Sequence, residues 1–432
     1  MRGTLWLCLL FALPLAAQVA PIPTTTDLPG NPFYIKKTWY IGGAGNWDNL
    51  TLDASAHLLY IAHAETVQIV DLNSGSVVAE IPNFREARAI ALDDTGDYGY
   101  VSDGPAGAIV VFDRHTFKVQ TSIPIYCTPR SVAFEPRSRL VFAICGSMGT
   151  APAPTPAQRQ PAGAHASRPG QNPGSANFSG TSHVIVIDAT TQNVVADIDI
   201  AGDFRFATSD GTGQIWVTVG PVTQTRVVNH TPTEEALPPR IARLDASAIV
   251  AAAQRALAKQ SSADSSAQPL EIDWSQEDNP ASLIRFLRLS NACENPQGLA
   301  IDSKGQRLFV ACENQQFVVV NAIDGTLVAS FVTGPGDDVL GYDADRGLIF
   351  VANGAGYGSL TIIRQDQTTD SYAVIQNLPT QERARTLAVD PSSGEVYLVT
   401  DLRGADLTKP RGIGTMKMVQ VPGSFQVLVV GH

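Results

Sequence analysis

Seven stretches of the chain repeat one pattern, and that repeat restricts the fold more than any other feature. Each stretch holds an alternating strand, a turn with Asp, Gly or Pro, a strongly apolar strand, and a third strand that often closes on Asp or Asn. The apolar strands read Leu59–His63 (LYIAH), Tyr100–Asp103 (YVSD), Leu140–Cys145 (LVFAIC), Ile215–Thr218 (IWVT), Leu308–Cys312 (LFVAC), Ile349–Asn353 (IFVAN) and Val396–Thr400 (VYLVT). The third strands end at Asp71, Asp113, Asp188, Asp245, Asn321, Arg364 and Gly431. Where no insertion intervenes the period is about 40 residues, the spacing of four-stranded blades. A sandwich or a solenoid leaves seven four-strand units unexplained. The expected fold is all-β: a seven-bladed β-propeller.

Counting strands refines this. The last unit ends at His432, just after its third strand, and lacks a fourth. One spare strand, Tyr34–Ile41 (YIKKTWYI), precedes the first unit. Pairing the two completes the last blade and removes two open sheet edges. A length of 432 residues alone would suggest two or three domains, but repeats escape that rule. The propeller is expected over residues 33–432, after a signal peptide at 1–17 and a short extension at 18–32. The signal reading rests on Arg2, the apolar run Leu5–Leu15, and the small residues Ala16 and Ala17. That run is too short to span a bilayer comfortably, so no transmembrane segment is expected once it is removed.

The apolar second strands resemble the YVTN-type repeat of the YncE-like propeller family. The resemblance covers nearly the whole chain after the signal. It implies the propeller fold and export to the periplasm or the extracellular space. It implies no particular activity, because many members have none assigned and propellers host lactonases, lyases and dehydrogenase subunits alike.

Strands a to d of a blade run outward from the channel and alternate in direction. The loops that enter strand a and leave strand b therefore share one rim, here called the top rim. Three insertions fall on it: about 147–182, rich in Ala, Pro, Gly, Ser and Gln and expected to be disordered; about 220–239; and about 401–422, with Arg403, Lys409, Arg411 and Lys417. A fourth, about 246–281, belongs to the bottom rim. Its Ser247–Gln260 stretch is Ala-rich and follows Asp245, which can cap a helix. Cys127 and Cys145 flank strands a and b of the third unit, and Cys293 and Cys312 hold the matching places in the fifth. Two disulfides are expected in an exported chain, Cys127–Cys145 and Cys293–Cys312, with free buried thiols as the alternative.

Each first strand ends on an acid: Asp53, Asp93, Glu135, Asp210, Asp302, Asp343 and Asp390. Five residues earlier stand Asp48, Arg88, Arg130, Arg205, Gln297, Asp338 and Arg385, all polar and four of them arginine. In a propeller these positions open on the channel mouth at the top rim. Guanidinium forks at a concave mouth suit carboxylate or phosphate. The same arginines could instead bond blade carbonyls or pair with Asp48 and Asp338. His63 ends the second strand of the first unit near this rim; it joins the ring as a candidate ligand contact, and is the candidate base of an enzyme at the mouth, although a solvated loop-end residue is expected. The acids closing the third strands are read as turn-formers.

No GxSxG, HExxH or Walker-type motif occurs, and no CxxCH. No cofactor or metal is expected. A net charge of −11 opposes nucleic-acid binding. Two function classes follow. One is a monomeric, exported, non-catalytic binding or scaffold propeller that takes an anionic ligand or protein partner at the mouth. The other is a lactonase- or lyase-like enzyme acting on a small anionic substrate there.

Overall fold

The structure is a computed structural model and describes residues 32–146, 181–228, 231–259, 270–271, 283–406 and 418–432. The signal peptide, most of the N-terminal extension and nearly all of the 147–182 insertion lie outside the described residues. Seven antiparallel four-stranded blades form a closed ring. Blade 1 comprises Trp47–Asp53, Leu58–His63, Thr66–Asp71 and Ser76–Ile81 as strands a to d, and the others repeat that order.

The apolar second strands follow from burial on both faces. In blade 1, Leu59 and Ile61 pack toward blade 7 beside Tyr397 and Val399. Tyr60 and Ala62 pack toward blade 2 beside Val101 and Phe112. Side chains alternate with period two, so a strand buried on both faces has no polar positions to spare. The hydrophobic core is accordingly divided into seven clusters, one at each blade interface.

Closure takes the expected form. Tyr34–Tyr40 pairs antiparallel with Gln426–Gly431 and becomes the outer strand of blade 7. Phe33, just before it, is buried between blades 6 and 7. The Gln376 side chain of blade 6 holds it through two bonds. Gln376 Nε2 donates to Phe33 O at 2.8 Å, and Phe33 N donates to Gln376 Oε1 at 2.9 Å.

On the bottom rim the helix runs Ala246–Lys259, capped by Asp245, whose Oδ1 accepts from Ala248 N at 2.8 Å. Ile249 and Ala253 bury its inner face in the core shared by blades 3 and 4. Leu270–Glu271 then adds a short parallel fifth strand to the outer edge of blade 3. The third-strand acids form turns as expected: Asp71 accepts from Ser74 N, Asp113 from Thr116 N and Asp188 from Thr190 N. No helix of the described residues is long and apolar enough to cross a membrane.

The top rim carries two extra hairpins, Val222–Val228 with Thr231–Leu237 in blade 4, and Arg403–Ala405 with Met418–Gln420 in blade 7. Both expected disulfides are present there, Cys127–Cys145 and Cys293–Cys312.

Candidate functional site

The ring residues share a backbone device. In blades 1 to 6 the pairing of strands a and b slips near the top of strand a, and each slip encloses the ring residue. It lies between Trp47 and Leu50 around Asp48, Ala87 and Ile90 around Arg88, and Pro129 and Ser131 around Arg130. It recurs between Phe204 and Ala207 around Arg205, Pro296 and Leu299 around Gln297, and Asp337 and Leu340 around Asp338. In blade 7, Arg385 precedes the short strand Leu387–Val389. A bulge takes a residue out of the ladder and re-aims its side chain.

The amides freed by the slip need acceptors, and the second strand supplies them. Ala89 N donates to Ser102 Oγ at 2.9 Å, and Phe206 N donates to Thr218 Oγ1 at 3.1 Å. The hydroxyl residues in YVSD and IWVT thus stabilise the bulges. Glycines after the second strands leave room for the arginines. A Cβ on Gly104 would lie 2.6 Å from Arg88 Nε, and one on Gly146 would lie 2.9 Å from Arg130 Cδ.

The arginines are not a bare cationic ring. Arg88 lies 3.8 Å from Asp48 and 3.0 Å from Glu86. Arg205 pairs with Asp203 at 2.7 Å. Arg385 lies 3.6 Å from Asp338 and donates to Trp47 O at 3.0 Å. Four guanidiniums therefore face four carboxylates: Asp48, Glu86, Asp203 and Asp338. Glu86 and Asp203 stand two positions before the ring arginines of blades 2 and 4, at a repeat position with no shared residue type, and sequence reading missed them. Arg130 stands apart. Its contact is Asp203 Oδ1 at 3.6 Å, and that oxygen has no hydrogen-bond partner. Gln297 accepts from Thr218 through its backbone carbonyl at 3.0 Å.

Two carboxyls of the mouth are perturbed. Burial pushes Asp48 up to about 7; Asp338 adds to the shift, while Arg385 and Arg88 oppose it. Burial also raises Asp338, against Arg385 and Arg205. The Asp48 side chain is nevertheless 43% exposed. Protein surrounds it on the channel wall while one side opens to the lumen, so solvent screening makes the real cost smaller than full burial implies. Below the mouth the first strands enclose a channel of about 520 Å³, lined by Leu50, Ile90, Val132, Phe206, Leu299 and Leu340 among others.

His63 departs from expectation. It is 2% exposed rather than solvated. It stacks on Phe425 at 3.9 Å, and its Nδ1 lies 2.9 Å from Gln68 Oε1. Desolvation depresses its pKa, against Gln68 and the Gly45 backbone. The reason is the added strand of blade 7: Phe425 and Gly43, flanking the closing pair of strands, cover the end of His63's own strand.

No family model matches the chain, and no curated protein does. The resemblance to the YVTN-type repeat thus rests on the second-strand residues. Solved structures do match. The WD40 repeats of RRP9 are similar at 7% identity over 95% of this chain and 99% of that one, with a TM-score of 0.56. U3-55K is similar at 7% identity over 94% and 99%, with a TM-score of 0.55. A chain of the mitotic checkpoint complex is similar at 11% identity over 90% and 95%, with a TM-score of 0.53. At such identities the likeness concerns the fold alone. The chain is a seven-bladed β-propeller.

Proposed function

We propose that this chain is an exported, non-catalytic binding propeller whose channel mouth takes an anionic ligand or the anionic group of a partner. The observation that carries the reading is the Arg130 guanidinium, which is brought to the mouth by a bulge and, among the described residues, meets only Asp203 at 3.6 Å. A guanidinium offers five donors, and a carboxylate or phosphate is the group that uses several at once. The two disulfides fit the oxidising compartment that export implies.

The enzymatic alternative loses its base. His63 is sealed beneath Phe425 and bonded to Gln68, out of reach of a ligand at the mouth.

Asp48 adds a pH dependence. As pH falls through about 7 its carboxyl takes up a proton, and the mouth gains one unit of positive charge relative to the state with every carboxylate ionised. Citrate and inorganic phosphate, titrated calorimetrically into the full chain, are expected to bind more tightly at pH 6 than at pH 8. The double variant Arg88→Ala with Arg130→Ala is expected to weaken that binding about tenfold or more, the effect of losing one charge-assisted hydrogen bond. Unchanged binding in the double variant refutes the reading.

A further inference from the structure

The end of strand b faces the loop that enters strand a, because the two strands run antiparallel. Side chains at that end are placed to clamp the loop. In blade 2, Asp103 accepts from Arg85 N at 2.9 Å and from Glu86 N at 3.1 Å. In blade 7, Thr400 Oγ1 donates to Glu382 O at 2.7 Å, and Asp401 holds Arg383 at 2.7 Å. Blades 3 and 5 put a covalent bond in the same place. Cys145 ends strand b of blade 3 and is bonded to Cys127 on the entering loop, and Cys312 is bonded to Cys293 in blade 5.

The blade 3 bond lies beside the mouth. Pro129 pairs with Cys145, and the ladder resumes only where Ser131 pairs with Ile144, so Arg130 occupies the slip next to the bonded cysteine. Gly146, which follows Cys145, faces the arginine from the other strand: a Cβ there would lie 2.9 Å from both its Cδ and its Nε. The disulfide therefore ties together the two backbone segments between which the Arg130 side chain runs. The other ring arginines have anchors of their own. Arg88 donates to Glu86 at 3.0 Å, Arg205 to Asp203 at 2.7 Å, and Arg385 to Trp47 O at 3.0 Å. Among the described residues the one ion pair of Arg130 is with Asp203 at 3.6 Å, beyond hydrogen-bond reach. Its direction is set by the backbone that carries it.

We propose, resting on the anion reading of the mouth, that the Cys127–Cys145 disulfide positions Arg130, so that affinity for an oxyanion follows the oxidation state of this pair. With the bond closed, the guanidinium is held where an oxyanion meets it, and binding orders little. A dithiol opens the bond by exchange: it gives up two electrons and two protons, closes to its own disulfide, and leaves Cys127 and Cys145 as two thiols. The loop that carries Arg130 then has to be ordered again when a ligand binds, and affinity falls. Cys293–Cys312 stands beside Gln297, which carries no charge, so it supports the fold without setting affinity for an anion. The mouth is thereby competent only in surroundings where disulfides persist.

The test titrates inorganic phosphate calorimetrically into the full chain at pH 6. Cys127→Ser with Cys145→Ser is expected to weaken phosphate about three- to tenfold, the cost of re-ordering one long side chain and its loop. Cys293→Ser with Cys312→Ser is expected to bind as the parent does, although urea unfolding should show a comparable loss of stability, the bonded residues being 18 and 19 apart. In an Arg130→Ala background the Cys127 and Cys145 substitutions are expected to change nothing further. Dithiothreitol, an uncharged dithiol, gives a second route that introduces no serine at Cys127 or Cys145. Applied to the variant lacking Cys293 and Cys312, it opens the remaining bond, which mass counting of thiols verifies; the loss should reappear, and reverse on reoxidation. Failure of the parent to bind phosphate, or binding indifferent to Arg130→Ala, removes the anion reading itself. Binding that weakens in Arg130→Ala yet is indifferent to the Cys127–Cys145 bond overturns the positioning role alone. So does an equal loss from both cysteine pairs, or a loss that persists undiminished in the Arg130→Ala background.

Discussion

Closure of the ring hangs on a few contacts, and Phe33 is the place to break them. Its ring is 2% exposed, meets Phe350 edge-on at 5.5 Å, and packs against His432 at 3.8 Å. Truncating a buried phenylalanine to alanine costs about 3–5 kcal/mol. Gln376→Leu attacks the same latch from the other side. It roughly preserves volume but leaves the Phe33 N–H and C=O without partners, at about 1–3 kcal/mol for each group, or about 2–6 kcal/mol together. A large domain loses about 2 °C of melting temperature per kcal/mol, so Phe33→Ala is expected to lower Tm by about 6–10 °C. Both substitutions act on one residue, so the double variant should cost less than their sum. Calorimetry gives the melting temperatures, and hydrogen exchange locates the damage. The amides of Tyr34–Tyr40 should lose protection first, because that strand is held by pairing to Gln426–Gly431 and by the latch. A fall in Tm with uniform loss of protection across all blades would refute the reasoning, since the latch would then not govern closure. So would an unchanged Tm in both single variants.

Three further outcomes follow from the geometry. The Asp48 carboxyl is raised from 3.8 to about 7 by burial, with Asp338 adding to the shift, so the folded state holds its proton more tightly than the unfolded chain and stability is lost as pH rises between those values. Asp48→Asn copies the neutral form and should melt above the parent at pH 8 but level with it near pH 4; no difference at pH 8 contradicts this. Cys293→Ser with Cys312→Ser opens a loop whose ends are 19 residues apart, and urea unfolding should show a loss of about 3 kcal/mol. Gly354→Ala would set a Cβ 2.5 Å from Arg385 Cβ and 3.1 Å from its Cα, which cannot yield as the flexible Arg88 guanidinium can beside Gly104. It should therefore cost about 1–3 kcal/mol in urea unfolding, and Gly104→Ala distinctly less.

The fold was legible because the repeat is physical. A strand buried on both faces must be apolar throughout, so LYIAH and its six counterparts mark the second strand of every blade. The spare strand at Tyr34–Ile41 followed from counting, and the cysteine pairs followed from the shared rim. The candidate site was only half legible. Alignment by period finds residues that repeat, and it found Arg88, Arg130, Arg205 and Arg385. It is blind to residues that occur once. Glu86 and Asp203 complete the neutralisation of the ring from one repeat position, two before the ring residue, but the other blades hold Asn46, Thr128, Asn295, Gly336 and Arg383 there, so no repeated pattern marks it. His63 failed for a related reason. Its neighbours in sequence suggest a strand end in water, but Phe425, which covers it, comes from the far end of the chain.

The split between repeating and single residues also separates support from recognition at the top rim. The bulge, the hydroxyl that satisfies its amide and the glycine that clears the arginine are shared among blades, and together they build a mouth of fixed shape. They would present the same rim whatever it bound. Discrimination has to come from what breaks the symmetry, as where Asp203 is held by Arg205 yet offers its other oxygen to Arg130.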